Sequence, residues 1–319
     1  DGTEFSVDSR YYSAAKKKLS PKGITVTLGG GYQSFFDKAK ERGYKKVGID
    51  FTKVTVYDFE YFKTSGLDFV DISGEIREIT AKKTERELSY IQKACRIAEK
   101  SWKETLNFIE EGVTETDVAN ELEYRFKKNG ASGPSFDTIV AFGKNAAVPH
   151  HETGNTKLKR DQCVLMDFGC LYKGYCSDMT RTMFYGKPSD EFIKAYSAVW
   201  LAHEEAARFI KDGVSGTDAD AIARKVLEER GYGKYFTHSL GHGIGVNIHE
   251  YPNLSPRSEW TLENNMVFSN EPGVYIDGKF GIRIEDSACL SGGEYKSFMK
   301  DDKKLILLGD GKIRKLKTF

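Results

Sequence analysis

Val164-Leu165-Met166-Asp167-Phe168-Gly169 is an apolar run that carries one acid, and Ser177-Asp178-Met179-Thr180-Arg181-Thr182 follows it after Tyr172-Lys173-Gly174. The two runs read as antiparallel strands joined by a turn. A turn centred between residues 172 and 173 sets Asp167 directly opposite Asp178, about 5 Å apart on one sheet face. The pattern returns downstream. Met266-Val267-Phe268-Ser269-Asn270-Glu271 leads through Asp277-Gly278-Lys279 to Gly281-Ile282-Arg283-Ile284-Glu285. A three-residue loop on Gly278 is a common hairpin connection and sets Glu271 opposite Glu285. Pro272 cannot donate to a ladder, so a bulge or irregular pairing there would shift that register.

Like charges opposed in an apolar hairpin destabilise it, and desolvation adds to the cost. A shared proton or a bound cation removes the repulsion. Two such pairs in one chain favour the cation. Histidine is scarce, six in all, and three fall in the glycine-rich stretch Thr237–Glu250: His238, His242 and His249. His150 and His151 follow Pro149, while His203 sits in a helical run and reads as a surface or packing residue. One imidazole with four carboxylates makes a hard, oxygen-rich donor set that suits two divalent ions such as Mn²⁺ or Co²⁺. Such a pair can activate a water.

Working outward, Phe108–Asp117 resembles Phe209–Asp218 at an offset of 101 residues, and the likeness runs on to Gly130 and Gly231. Each copy reads as a helix, a Gly-Val turn and a second helix opening at Thr-Asp and closing at Gly. One long period seen twice predicts a duplicated domain with pseudo-twofold symmetry. Upstream, Thr84–Glu111 has helical apolar spacing. A boundary just before it gives residues 1–76 and 77–319 as the two domains. The leading part alternates strands (Phe5–Val7, Ile24–Leu28, Lys46–Asp50) with helices, a small α/β pattern. It opens almost inside a strand and does not begin with Met, which predicts a truncated leading domain. Gly29-Gly30-Gly31 lacks dinucleotide or P-loop spacing and reads as a loop.

The composition excludes several classes. The chain has 319 residues, 48 Lys+Arg against 47 Asp+Glu, and a net charge of +1. That balance argues against nucleic acid and anionic membrane as partners. No apolar run approaches the roughly 18 residues of a membrane span. Five cysteines without a CxxC pair read as reduced, buried thiols in a cytoplasmic protein.

The strings MDFG, SDMTRT, HSLGHGIG, HEYP, NEPGVYI and GIRIED resemble the metallopeptidases of the pita-bread fold, most closely the Xaa-Pro branch of aminopeptidase P and prolidase. The resemblance covers about residues 80–310. It implies an α+β pita-bread domain with the internal repeat, preceded by a shortened α/β domain of the creatinase type. It also implies roles. Asp167 would chelate one metal, Asp178 and Glu285 would bridge two, and His242 and Glu271 would complete the other. Glu271 would serve as general base and His249 would stabilise the tetrahedral intermediate. His238 and His150 would line the substrate site, with His151 as the alternative to His150. By parity Thr180 and Arg283 share strand faces with Asp178 and Glu285 and would support them, Arg283 equally as a salt bridge. Zn²⁺ and Fe²⁺ remain compatible with the set.

The implied activity is removal of the first residue from small proline-containing peptides, by a homodimer. Some dipeptide-specific members carry an Arg after the HE-x-P string, where this chain has Asn253. That favours an Xaa-Pro aminopeptidase over an Xaa-Pro dipeptidase. A metal-free creatinase-like hydrolase or a non-catalytic binding module would have lost ligands, and all five are present.

Overall fold

Gln162–Phe168 and Met179–Tyr185 form an antiparallel pair, but Asp167 faces Thr180 rather than Asp178. The turn is the cause. Tyr172 pairs with Tyr175, and Lys173 and Gly174 take left-handed backbone at φ 55° and 87°. A two-residue turn with both centres at positive φ matches the twist of the strands it joins. Its centre lies one residue further along than expected, so the partner of Asp167 moves by two. A two-residue shift preserves facing, and Asp178 stays on the side of Asp167, just before its strand begins. The chain crosses itself closely here: a Cβ on Gly169 would lie 1.8 Å from the Ser177 carbonyl oxygen.

The second hairpin has the expected register. Gly273–Ile276 pairs with Phe280–Arg283, with Gly273 opposite Arg283. Val267–Asn270 pairs with Asp286–Ser291 in the same register, with Asn270 opposite Asp286. Glu271 and Glu285 fall in the gap between the two ladders. Pro272, which lacks an N–H, accounts for the opening.

The repeat is visible in the backbone. Glu85–Thr105 and Glu115–Lys128 correspond to Asp190–Phe209 and Gly216–Glu229. Thr114 and Ser215 cap the second helix of each copy by accepting from the backbone N–H three residues on, a device that satisfies otherwise orphaned donors. Gly112 N–H donates to the Leu158 carbonyl and Gly213 N–H to that of Leu262, both at 2.9 Å. Past the helices the two copies therefore align at 104 residues. That offset superposes Asp167 on Glu271.

The computed structural model describes residues 2–316, and the chain divides into two units, Asp1–Arg77 and Glu78–Phe319. In the second unit, one five-stranded sheet carries Gln162–Phe168 and Met179–Tyr185 and another carries Val267–Asn270 and Asp286–Ser291, while Gly273–Ile276 and Phe280–Arg283 form a two-stranded sheet of their own. Each helix pair covers its own core, one built on Trp102, Leu122 and Phe126, the other on Phe192, Tyr196 and Leu227. Removing such side chains from water supplies the main drive for folding. The first unit pairs Glu4–Val7 with Thr25–Leu28 and Lys46–Ile49 with Asp68–Asp71, both parallel. Phe36 and Phe62 pack edge to face at 5.4 Å in its core. Among the described residues no helix is long and apolar enough to cross a membrane. The five thiols are all buried.

Candidate metal centre

The strand Gly241–Gly243 brings His242 to the gap between the two ladders. His242 Nδ1 donates to the Gly243 carbonyl at 3.1 Å, which turns Nε2 toward the acids. Nε2 lies 3.4 Å from both Asp178 Oδ2 and Glu271 Oε1. Ligand atoms of Asp178, His242 and Glu285 all fall within 4.8 Å of one another. Burial opposes a charged His242, but Asp178 and then Glu271 outweigh it and raise the imidazole to about 9. Burial raises both the Asp178 and Glu285 carboxyls, and the neighbouring acids push further in the same direction. Four acids against one imidazole and one guanidinium, that of Arg283 beside Asp167, leave an excess of negative charge that is the electrostatic signature of a cation site.

Two of these carboxylates have one oxygen held and the other free. Thr180 Oγ1 donates to Glu285 Oε2 at 2.6 Å, and Arg283 Nη2 donates to Asp167 Oδ2 at 2.5 Å. Glu285 Oε1 and Asp167 Oδ1 are buried with no hydrogen-bond partner among the described residues. Leaving a buried acceptor unmade is costly, and a hard cation is what such oxygens accept. Ser269 Oγ donates to Glu271 Oε1 at 2.9 Å. The residues present therefore fit divalent metal.

The acids open onto a cavity of about 500 Å³ whose lining includes His150, His238, His249, Phe136, Ile248 and Asn253. His151 turns away from it, to Glu115 Oε2 at 3.0 Å. His249 packs against His242 with ring centroids 4.3 Å apart. His238 Nε2 bonds the Tyr275 hydroxyl at 2.8 Å, and burial lowers its pKa. Thr180 and Arg283 both touch the acids, and Arg283 is ion-paired as well as orienting. His203 is buried in its helix, away from the cavity lining.

Sequence reasoning missed three supports. Tyr275 joins His238 to Arg283, its hydroxyl accepting from Nη1 at 2.7 Å; its parity with Gly273, opposite Arg283, was the available signal. Ser287 Oγ donates to the Asp178 carbonyl at 2.7 Å. Arg181, almost fully buried, donates to the Glu285 carbonyl at 2.6 Å, to Asp286 Oδ1 at 2.7 Å and to Asp301 Oδ2 at 3.0 Å. It secures the backbone at Glu285 and the strand Asp286–Ser291 that follows.

Residues 89–290 match metallopeptidase family M24. The chain is 38% identical over 272 residues to an Xaa-Pro dipeptidase of Pyrococcus horikoshii, covering 85% of this chain and 77% of that one. A solved Xaa-Pro dipeptidase from Bacillus anthracis superposes with a TM-score of 0.91 at 38% identity, covering 96% of this chain and 86% of the other. An X-Pro aminopeptidase from Thermotoga maritima superposes with a TM-score of 0.90 at 34% identity, over 96% and 85%. The pita-bread fold, the clustered carboxylates and these likenesses agree: the chain belongs to the M24 metallopeptidases.

Proposed function

We propose that this protein removes the N-terminal residue from Xaa-Pro peptides that continue beyond the proline. The observation that carries this reading is the charge of the cavity. Among its lining residues the single Arg or Lys is Arg283, already held by Asp167, Thr180 and Tyr275. Burial keeps His238 and His249 below the usual imidazole pKa, hence neutral near pH 7. Asn253 Oδ1 accepts from Ser258 at 3.0 Å. With Asp167, Asp178, Glu271 and Glu285 committed to metal, a dipeptide would bring its own carboxylate into this space beside Asp137 and find no free side-chain cation among the lining residues to meet it. A longer peptide carries that carboxylate outside.

Asp167, Asp178, His242, Glu271 and Glu285 would hold two divalent ions, Mn²⁺ or Co²⁺ by donor type. Such ions supply Lewis acidity that polarises a carbonyl and acidifies water. Glu271 takes the proton from the attacking water and returns it to the proline nitrogen as the C–N bond breaks. His249 donates to the oxygen on which charge develops. His238, fixed by Tyr275, and His150 bound the peptide. The buried thiols suit a reducing compartment, so the reading includes a cytoplasmic location.

An Xaa-Pro dipeptidase is the second reading, favoured by the names of the Pyrococcus and Bacillus relatives. Ala-Pro-Ala and Ala-Pro, offered to chelator-treated protein resupplied with Mn²⁺, Co²⁺ or Zn²⁺, separate the two. Faster release of alanine from the tripeptide is expected. Hydrolysis of the dipeptide alone would establish the second reading.

A further inference from the structure

A buried ion pair outside the cavity reaches the loop that carries His249. Lys83 lies just before the helix Glu85–Thr105, and Glu250 follows His249 directly. Lys83 Nζ donates to Glu250 Oε2 at 3.0 Å, joining residues 167 positions apart. Their side chains are 2% and 12% exposed. The remaining ammonium protons meet the Thr80 carbonyl at 2.6 Å and the Ala81 carbonyl at 3.4 Å. The Lys83 N–H in turn donates to the Asn265 carbonyl at 2.8 Å, which fixes the lysine to the second half of the fold.

The other oxygen of Glu250 works on the loop. Oε1 accepts from the Asn247 N–H at 2.9 Å and from Asn247 Nδ2 at 3.4 Å. The carboxylate packs so tightly on Gly245 that a Cβ there would lie 2.2 Å from Oε2. Asn247, Ile248 and His249 are thus closed into a short loop stapled by the Glu250 side chain, and Glu250 is aimed by Lys83. A carboxylate and an ammonium taken this far out of water are retained at a desolvation cost. Neither touches the cavity, and peptide hydrolysis gives neither a proton to move.

We infer that Lys83 is a positioning residue for catalysis, acting through Glu250 to hold the imidazole of His249 against the reacting carbonyl. The inference rests on the catalytic reading of His249 given above. Orientation of a transition-state donor affects turnover more than ground-state binding, so the pair's influence belongs in kcat.

The test is epistasis in the metal-loaded protein. Lys83→Met and Glu250→Gln are each made in the natural background and in His249→Ala, with Lys83→Arg as the conservative variant. Alanine release from Ala-Pro-Ala gives kcat and KM, and elemental analysis gives bound metal. In the natural background both substitutions should lower kcat about 10- to 100-fold, with KM and metal content unchanged and partial recovery in Lys83→Arg. In the His249→Ala background they should cost nothing further. An equal fall in both backgrounds, or full kcat in Lys83→Met, overturns the inference. Wild-type kcat in His249→Ala overturns it as well, by removing the catalytic reading of His249 itself. Glu250→Gln keeps the comparison available should Lys83→Met not fold.

Discussion

Thr180 Oγ1 donates to Glu285 Oε2 at 2.6 Å and accepts from Arg283 Nε at 3.0 Å. One hydroxyl thus links the first hairpin to the second and holds a carboxylate of the site with its other oxygen free. Metal ligands held by outer hydrogen bonds lose affinity and activity when those partners are removed.

Thr180→Val keeps the shape of the side chain and deletes the hydroxyl. Mn²⁺ affinity should fall about 10- to 100-fold. Stability of the metal-free protein should fall by about 1–3 kcal/mol, because two buried polar groups lose their partner. Thr180→Ser should stay near wild type in both. Calorimetric titration with Mn²⁺ and urea unfolding measure the two effects. Unchanged affinity in the valine variant would remove Thr180 from the support of the site.

Tyr275→Phe separates substrate positioning from metal binding. The hydroxyl bonds His238 at 2.8 Å and Arg283 at 2.7 Å. Its loss should lower kcat/KM for Ala-Pro-Ala about 10-fold, the worth of one charge-assisted bond. Metal content should be unaffected, since Arg283 retains Asp167. A fall in bound metal would show that Arg283 depends on Tyr275 for its hold on Asp167.

Arg181 carries a pH signature. Burial alone would raise the Asp301 carboxyl, but the charges of Arg181 and Lys315 outweigh it and hold it below its ordinary value. A folded pKa lower than the unfolded one gives stability that is complete above about pH 4 and is lost as pH falls through the folded value. Arg181→Met takes the buried guanidinium from Asp286 and Asp301, leaving them only Lys303 and Lys315, and should cost about 3–5 kcal/mol at neutral pH. The cost should shrink toward about pH 4 and below, where protonation relieves Asp301. Urea unfolding across that range reads the slope; a loss independent of pH would contradict the pairing.

The thiols should be silent in the folded protein. Burial raises Cys163, Cys170 and Cys176 to about 12 and Cys289 to about 11. Thiolate is the reactive form. Ellman's reagent at about pH 8, below these values and near the free thiol pKa of about 8.5, should label none of them until denaturant is added. Rapid labelling of one would mark a cysteine exposed by local opening.

What the sequence revealed depended on how local each determinant was. Gly278 centres its loop unambiguously, so the register that aims Glu271 and Glu285 was readable. In the first hairpin Lys173, a non-glycine residue, takes positive φ, which no local rule favours, and the expected Asp167–Asp178 pair is displaced. Parity still kept both acids on one side. The repeat was readable from helix caps and Gly-Val turns because these recur within a few residues. The choice of His150 over His151 for the cavity follows from Glu115, 36 residues from His151. Arg181 meets Asp301 across 120 residues and Lys83 meets Glu250 across 167. Such contacts are products of the whole topology, and no spacing in the chain announces them.

The carboxylates of the site act through bound metal in the proposed reaction. Asp178→Asn, assayed for alanine release from Ala-Pro-Ala with Mn²⁺ in excess and analysed for bound metal, addresses it directly. Asp178 lies within 4.8 Å of His242 and Glu285 ligand atoms, and the amide replaces one charged oxygen with a nitrogen donor. Turnover should fall by about 100-fold or more, with less than the full complement of metal retained. Near wild-type turnover in this variant would contradict the assignment of the site.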